Sequence, residues 1–173
     1  MNKLSILLQQ LHIDTNQAFS QADITRVVVH HDSRYTFYIS SPELMPLSNV
    51  KALKEAQHLF PYPCEFLFET TSNHFREEDV IEYSDYIMHH VLGNVPEMQS
   101  MTRDDMDLKN NILTLHTVNH IQCDSIKTQL NEMRTLLSGF GINIDLRAEV
   151  DADNHEYQQT IAKMEENKGV HID

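Results

Sequence analysis

The chain has 173 residues, 40% of them apolar, and its 26 acidic and 13 basic residues give a formal net charge of −13. This length and apolar content indicate one or two small globular domains, and the acidity disfavours sequence-independent binding to nucleic-acid phosphates. Glycine is scarce, with four residues, and because neither GxGxxG nor GxxxxGKS/T occurs, Gly-rich phosphate-binding loops are nearly excluded.

The first predicted unit begins with a short amphipathic helix. In "KLSILLQQLHI", leucines recur at the spacing of a helical face. Further on, "ITRVVVHH" is rich in β-branched residues and "RYTFYIS" is aromatic, so each is predicted as a strand. Asp32 and Ser33 supply turn residues between them. The two strands are therefore expected to form a hairpin, with Tyr35, Phe37 and Ile39 on one face.

A helix and a third strand are predicted to complete this unit. Two prolines in "SSPELMPL" break the strand pattern, and Ser48 is predicted as the N-cap of a helix in "NVKALKEAQHLF". Pro61 and Pro63 are expected to end that helix, and "CEFLFET" alternates as a strand does. Residues 1–72 are therefore predicted to form a small α+β module of order β-β-α-β behind a leading helix.

Residues 73–150 are predicted to form a second α+β module. The helix in "SNHFREEDVIEYSDYIMHHVLG" can end at Gly93, and "NVPEMQSMTRDDMDLKN" is predicted to be irregular or to contain a short helix. A strand in "NILTLHTV", one helix in "CDSIKTQLNEMRTLLSG" ending at Gly139, and a strand in "INIDLRAEV" follow. Residues 151–173 are polar and are predicted to be a linker or a frayed helix, which suggests that further chain follows.

Charge distribution and cysteine content predict the surroundings of the protein. Residues 69–107 contain ten acidic and two basic residues, which predicts one strongly acidic face and partners that are proteins or small ligands. Cys64 and Cys123 are isolated, with no CxxC motif, as expected in a reducing compartment. No run approaches the roughly 18 apolar residues of a membrane span. We therefore expect a cytoplasmic protein that does not contact membranes.

His30, His31 and Asp32 are adjacent, which raises the question of a metal or catalytic cluster. Neighbouring side chains of a strand point to opposite faces, so the two imidazoles cannot easily bind one ion. The aspartate stands where the hairpin needs a turn residue. The pattern therefore favours the end of a hairpin over a site.

The other paired histidines are also interpreted as structural. His89 and His90 lie on a predicted helix, where adjacent side chains diverge by about 100°. His89 could pair with Asp85 or Glu82, and its neighbour with a tyrosine, but a third and fourth metal ligand are missing. The pair "HTVNH" has the HxxxH spacing of zinc sites, but that spacing converges only on a helix, whereas here it spans a strand and a loop.

No constellation in the sequence predicts catalysis. The carboxylates of "REED" and "RDDMD" stand in exposed polar runs rather than in a pocket that could separate their pKa values, although "DDMD" leaves Mg²⁺ binding open as a minor alternative. Neither cysteine is predicted to be a catalytic thiol. We therefore predict no catalytic, cofactor-binding or metal-binding residue and no cofactor, and the sequence does not identify the residues that bind a partner.

Nucleic-acid motifs are weak as well. An RNA-binding aromatic strand needs flanking basic residues, and "RYTFYIS" has only Arg34. A KH domain uses a GxxG loop between helices. The glycine motif nearest to it, "GFG" at 139–141, is predicted to end a helix and turn into a strand.

Three segments together carry a family resemblance. They are "LSILLQQLHI", "ITRVVVHHDSRYTFYISSPELMPL" and "LKNNILTLHTVNHIQCDSIKTQLNEMRTLLSGFGINIDLRAEV". Their order and spacing resemble the N-terminal region of PolC-type DNA polymerase III α subunits of Gram-positive bacteria, over roughly residues 4–150. The resemblance implies a fragment of a DNA-directed DNA polymerase with 3′–5′ exonuclease activity, without catalytic modules of its own.

The resemblance also implies folds and partners. It implies that the first module is similar to the polymerase-binding domain of a clamp-loader subunit and that the second has a KH-like arrangement. The implied role is protein contact in the replisome during DNA replication, with a clamp-loader subunit and downstream modules of the same chain as partners. The alternative is a KH-like module that binds single-stranded nucleic acid. Against direct nucleic-acid binding, "RDDMDLKNN" is acidic where relatives are lysine-rich.

Overall fold

The computed structural model describes residues 2–151 and contains a three-stranded sheet in each half of the chain. The first half contains, in chain order, α1 (Lys3–Gln10), α2 (Gln17–Ser20), β1 (Asp23–Val29), β2 (Tyr35–Ser41), α3 (Leu47–Ala56), a 3₁₀ turn (Gln57–Leu59) and β3 (Cys64–Thr70). The second half contains α4 (Glu77–Tyr86), a π-helical turn (Ile87–Val91), α5 (Pro96–Gln99), a 3₁₀ turn (Arg103–Asp105), β4 (Met106–Lys109), β5 (Ile112–Thr117), α6 (His120–Lys127), α7 (Leu130–Gly139) and β6 (Asp145–Val150). The predicted α+β class is therefore confirmed.

The first sheet has the order β1-β2-β3. The strands β1 and β2 form the predicted antiparallel hairpin, and β3 returns through α3 to pair in parallel with β2. Phe37 and Ile39 lie on the same face of the sheet as Phe66 and Phe68 of β3, and all four are buried. The leucines of α1 and the apolar positions of α3 are buried in the same core, as the spacing of α1 predicts.

The second sheet repeats this connectivity in the order β4-β5-β6. The strands β4 and β5 are antiparallel, and β6 is parallel to β5 after a crossover through α6 and α7. Leu113 and Leu115 of β5 are completely buried, together with Ile126 of α6 and Met133 and Leu137 of α7. The helix α6 therefore packs on β5 and β6, and α7 packs on β6 and on β3 of the first sheet.

The two halves pack against each other around Tyr83 of α4. The buried Tyr83 hydroxyl donates a hydrogen bond to the backbone carbonyl of Met45, between β2 and α3. Its ring centroid lies 5.2 Å from that of Phe140. At Gly139, a Cβ atom would come within 3.3 Å of the Leu67 side chain on β3. One apolar core therefore runs through both halves.

The structure corrects three details of the sequence prediction. Ser48 is not the N-cap of α3, because that helix begins at Leu47 after Pro46, and no side chain caps it. The helix predicted across "CDSIKTQLNEMRTLLSG" is divided into α6 and α7 by a turn at Thr128 and Gln129. A strand, β4, was missed in the segment predicted to be irregular, since its four residues contain two charges and carry little β-branched signal.

Three further predictions concern the end of a helix at Gly93, membrane spans and the division into modules. Gly93 follows the π-helical turn with a φ of 78°, as a residue that ends a helix often does. None of the helices within residues 2–151 is long and apolar enough to cross a membrane. The division into modules 1–72 and 73–150 stays a prediction, and the predicted linker at 151–173 lies, apart from Asp151, outside the described residues.

Candidate functional site

His30, His31 and Asp32 lie in the turn that joins β1 and β2. The Nε2 atom of His30 is 2.9 Å from the hydroxyl of Thr36, which donates a 2.9 Å hydrogen bond to Glu65. Because that hydroxyl gives its proton to the carboxylate, it accepts from the imidazole Nε2–H. The Asp32 carboxylate accepts from the backbone N–H of Arg34 at 3.3 Å, which closes the turn. These contacts are those of a hairpin end.

His89 and His90 point to different neighbours. The Nδ1 atom of His89 lies 3.0 Å from the Asp85 carboxylate, and its Nε2 atom lies 3.2 Å from the carbonyl of Gln99. Arg103 contacts the same carboxylate at 3.3 Å. His90 instead packs on the ring of Tyr86, with centroids 5.6 Å apart. The network around Asp85 therefore connects α4 to α5 and the 3₁₀ turn.

His116 and His120 do not form a common site either. His116 on β5 contacts the Asp107 carboxylate of β4 at 2.8 Å, whereas His120 is the first residue of α6. Within residues 2–151, no group of three or more histidine, cysteine or acidic side chains is close enough to share a metal ion. Asp107, from the "DDMD" segment, is thus used in a cross-strand pair.

The two cysteines are unpaired and differ in exposure. Cys123 is buried in α6, and Cys64 at the start of β3 is partly buried. Burial raises the pKa of the Cys64 thiol. A raised pKa lowers the thiolate fraction at neutral pH, and the thiolate is the reactive form. The arrangement does not favour a nucleophilic role for this thiol.

A cavity lies elsewhere, in the first half, between residues 16–21 and residues 41–49. We call this cavity the α2 groove, and its volume is about 610 Å³. One wall is α2 with its preceding turn, and the other is the proline-containing segment between β2 and α3. No motif predicted it, because a groove between a helix and a loop leaves no periodic signal. The proline pair in "SSPELMPL" was the available hint, since it indicates a fixed loop.

A pair of asparagines fixes the helical wall of the α2 groove to α3. The Nδ2 atom of Asn16 donates to Oδ1 of Asn49 at 2.9 Å, and Nδ2 of Asn49 donates to Oδ1 of Asn16 at 3.1 Å. The same Asn16 oxygen accepts from the backbone N–H of Phe19, which caps α2. Asn49 is buried, so both amides are constrained in one orientation.

Hydrogen bonds from three directions fix the loop wall. The hydroxyls of Thr70 and Thr71, at the end of β3, both donate to the carbonyl of Pro42 at 3.3 Å. Ser41 donates to the carbonyl of Glu43 at 2.5 Å. The carbonyl of Met45 accepts from Tyr83, as described above, so the second half of the chain supports the floor of the groove. Hydrogen bonds therefore hold both walls of the groove.

Four polar side chains on the rim of the α2 groove are exposed and available. They belong to Gln17, Gln21, Glu43 and Ser48. Within residues 2–151, these side chains make no hydrogen bond, whereas Asn16 and Asn49 below them are fully engaged. A partner could therefore bond to the rim without breaking contacts that stabilise the fold.

A turn that joins two helices, as the GxxG loop of a KH domain does, is present in the second half. It lies between α6 and α7, at Thr128 and Gln129. Neither residue is glycine, so the close approach of a phosphate to bare backbone that GxxG provides is absent from this turn. The KH-like description of the second half stays a prediction.

Comparison with known proteins bears on the first half of the chain. No curated protein matches the sequence. Residues 3–58 match the family described as DNA polymerase III polC-type N-terminus I. Both walls of the α2 groove lie inside the matched segment. The resemblance found in the sequence is therefore confirmed for this segment, in which residues 3–58 match the model of that family.

Proposed function

We propose that this chain is a non-catalytic protein-interaction region at the N-terminus of a PolC-type DNA polymerase III α subunit. Its partners are other replisome proteins, with a clamp-loader subunit as the first candidate, and downstream modules of its own chain. The observation that carries the proposal is the family match over residues 3–58, which contains the whole α2 groove. The proposed setting is DNA replication in the cytoplasm.

The form of the α2 groove supports protein contact. Its two walls are fixed by the asparagine pair and by the threonine bonds to Pro42, so little conformational entropy is lost when a partner binds. Its rim offers amide, hydroxyl and carboxylate groups rather than a line of cations. A net charge of −13 further opposes contact with a phosphate backbone.

The proposal is tested by measuring the affinity of the purified chain for the clamp-loader complex by isothermal titration calorimetry. Ser48→Arg places a long cationic side chain on the rim of the α2 groove, and we expect it to weaken binding about tenfold or more. Thr135→Arg on the exposed side of α7 is the matched control and should leave the affinity unchanged. Equal affinities of the two variants would place the contact outside the groove, and no binding by the wild-type chain would contradict the proposal.

The non-catalytic part of the proposal has its own assay. Primer extension and 3′–5′ exonuclease assays with the purified chain should give no product above background, because polymerase and exonuclease activity are assigned to other modules of the parent chain. Nucleotide incorporation by the pure chain would refute this. In the same preparation, salt-dependent binding of a short single-stranded oligonucleotide would favour the KH-like alternative instead.

A further inference from the structure

A second surface feature lies where α3 meets the end of α4. Lys51 and Lys54, one turn apart on α3, both extend over the ring of Tyr86, with Nζ atoms 5.0 Å and 5.7 Å from its centroid. His90 packs on the same ring from the π-helical turn. We call these four residues the lysine cluster. They line a shallow cavity of about 370 Å³ together with Glu55.

The lysines of this cluster take part in none of the ion pairs among residues 2–151. The chain has twice as many acidic as basic residues, yet all six ion pairs within residues 2–151 use an arginine or a histidine. Among the described residues, neither Lys51 nor Lys54 is paired with a carboxylate. Glu55 is four residues from Lys51, a spacing that permits a helical ion pair, but the lysine lies over Tyr86 instead. Like the other lysines of this part of the chain, these two cations therefore have no carboxylate partner among residues 2–151.

Lys54 also bears a cost of burial. It lies between the rings of Tyr86 and Phe140, with its Nζ 4.9 Å from the centroid of the latter. Partial burial lowers the pKa of the Lys54 ammonium. Cation–π contacts offset some of the lost hydration, but an anion at this position would restore favourable charge interaction on a desolvated cation. Geometry and burial thus both favour an anionic ligand.

We propose that the lysine cluster binds carboxylates of an acidic segment in a protein partner. This inference rests on the proposed function, because it takes the partner to be a protein. Three basic groups around one ring form a compact site that suits one or two carboxylates. A nucleic-acid backbone would need a long positive groove, whereas here Glu55 lies on the rim and the chain as a whole is strongly negative.

The test uses fluorescence anisotropy with the purified chain at low salt. The probes are a labelled oligoglutamate peptide and a labelled oligothymidylate of equal charge. We expect the peptide to bind more tightly than the oligonucleotide. The double variant Lys51→Gln/Lys54→Gln should weaken peptide binding about tenfold or more, since it removes two converging charges.

The control is the double variant Lys109→Gln/Lys127→Gln, which changes two exposed lysines elsewhere and gives the same net charge. It should bind the peptide nearly as the wild type does. Equal weakening by both double variants would show a general charge effect and would overturn the proposal, as would tighter binding of the oligothymidylate at Lys51 and Lys54.

A second measurement needs no variant. Nitrogen-15 spectra of the lysine side chains should show the Nζ resonances of Lys51 and Lys54 shifting when oligoglutamate is added, and those of Lys109 and Lys127 remaining in place. Unshifted Lys51 and Lys54 resonances would refute the site. Because this assay uses no clamp loader, oligoglutamate binding without clamp-loader binding would reject only the proposed function, and the reverse result would reject only the lysine cluster as a site.

Discussion

The two halves of the molecule reach the same connectivity with different residues. In each half, an antiparallel hairpin is followed by a helical crossover to a parallel strand. The first half crosses through one helix, α3, and the second through two, α6 and α7. Their sequences give no exact repeat, so the shared connectivity indicates how few arrangements bury one face of a small sheet.

The cores of the two halves differ in chemistry. In the first half, four aromatic rings pack on one another at centroid distances of 5.2–6.4 Å. They belong to Tyr35, Phe37, Phe60 and Tyr62. The second half buries five methionines, at positions 88, 98, 101, 106 and 133. Methionine adapts to irregular gaps because it is unbranched. The half with the aromatic group is also the one that carries the family match and the α2 groove.

The largest expected effects come from the central strands of the two sheets. Ile39→Ala in β2 and Leu115→Ala in β5 each remove a completely buried side chain, and each should lower the free energy of unfolding by about 2–5 kcal/mol. Ile121→Ala, at a side chain that is 79% exposed, should change it by less than about 0.5 kcal/mol. Urea denaturation followed by circular dichroism measures all three.

Thiol labelling during the same urea denaturation tests whether the halves unfold together. Each half contains one free cysteine, Cys64 and Cys123, so thiol labelling reports on each half separately. Because one core passes through both halves at Tyr83, we expect a single transition that either variant shifts for both thiols. Two transitions, of which Ile39→Ala moves only the one seen at Cys64, would show that the halves are independent.

A smaller effect is expected at the contact between the halves. Tyr83→Phe removes the hydroxyl that donates to Met45 and leaves a buried carbonyl without its partner, which should cost about 1–3 kcal/mol. The control is Tyr62→Phe, which removes the hydroxyl of an exposed ring in the first half. It should leave the free energy of unfolding nearly unchanged. Equal stability of the two variants would mean that the hydrogen bond to Met45 contributes nothing.

Tyr83 also predicts a dependence on pH. Burial, with Glu82 and Asp79 nearby, raises the pKa of its phenol well above the ordinary value. The folded state therefore keeps this phenol protonated, whereas the unfolded state releases the proton above about pH 10. The contribution of this phenol to the free energy of unfolding is fully present below that pH and decreases as the pH rises further. Tyr83→Phe should remove that component of the alkaline loss, and an unchanged alkaline slope would contradict the assignment.

The elements that the sequence predicts correctly are those with strong local patterns. The hairpin of β1 and β2 was predictable because β-branched and aromatic runs flank the turn residues Asp32 and Ser33. The short strand β4 was not, because its pairing with β5 and the contact of Glu77 with the backbone N–H of Leu108 are tertiary features. The break between α6 and α7 was missed since Thr128 and Gln129 carry no glycine or proline signal.

The candidate sites were less predictable than the fold. Periodicity identifies elements, but the α2 groove arises where α2 approaches the loop before α3, and the asparagine pair that fixes it joins residues 33 positions apart. The lysine cluster likewise unites two elements that are distant in sequence. By contrast, His89 was predicted to pair with Asp85 or Glu82, and it does pair with Asp85. That contact was predictable because it joins residues four positions apart.

The smallest predicted effects compare the two hairpin turns. Asn110 and Asn111 join β4 to β5 as a two-residue turn with φ values of 54° and 60°, and the turn between β1 and β2 contains Ser33 at a φ of 66°. Left-handed backbone costs a serine more than an asparagine, which adopts it more readily. Glycine relieves this cost but loses more entropy on folding, by about 0.5–1 kcal/mol. Ser33→Gly should therefore stabilise by up to about 1 kcal/mol, and Asn111→Gly by only a few tenths. Urea midpoints of the two variants give the order directly. A larger gain at Asn111 would show that the turn of the second half, rather than that of the first, is the more strained.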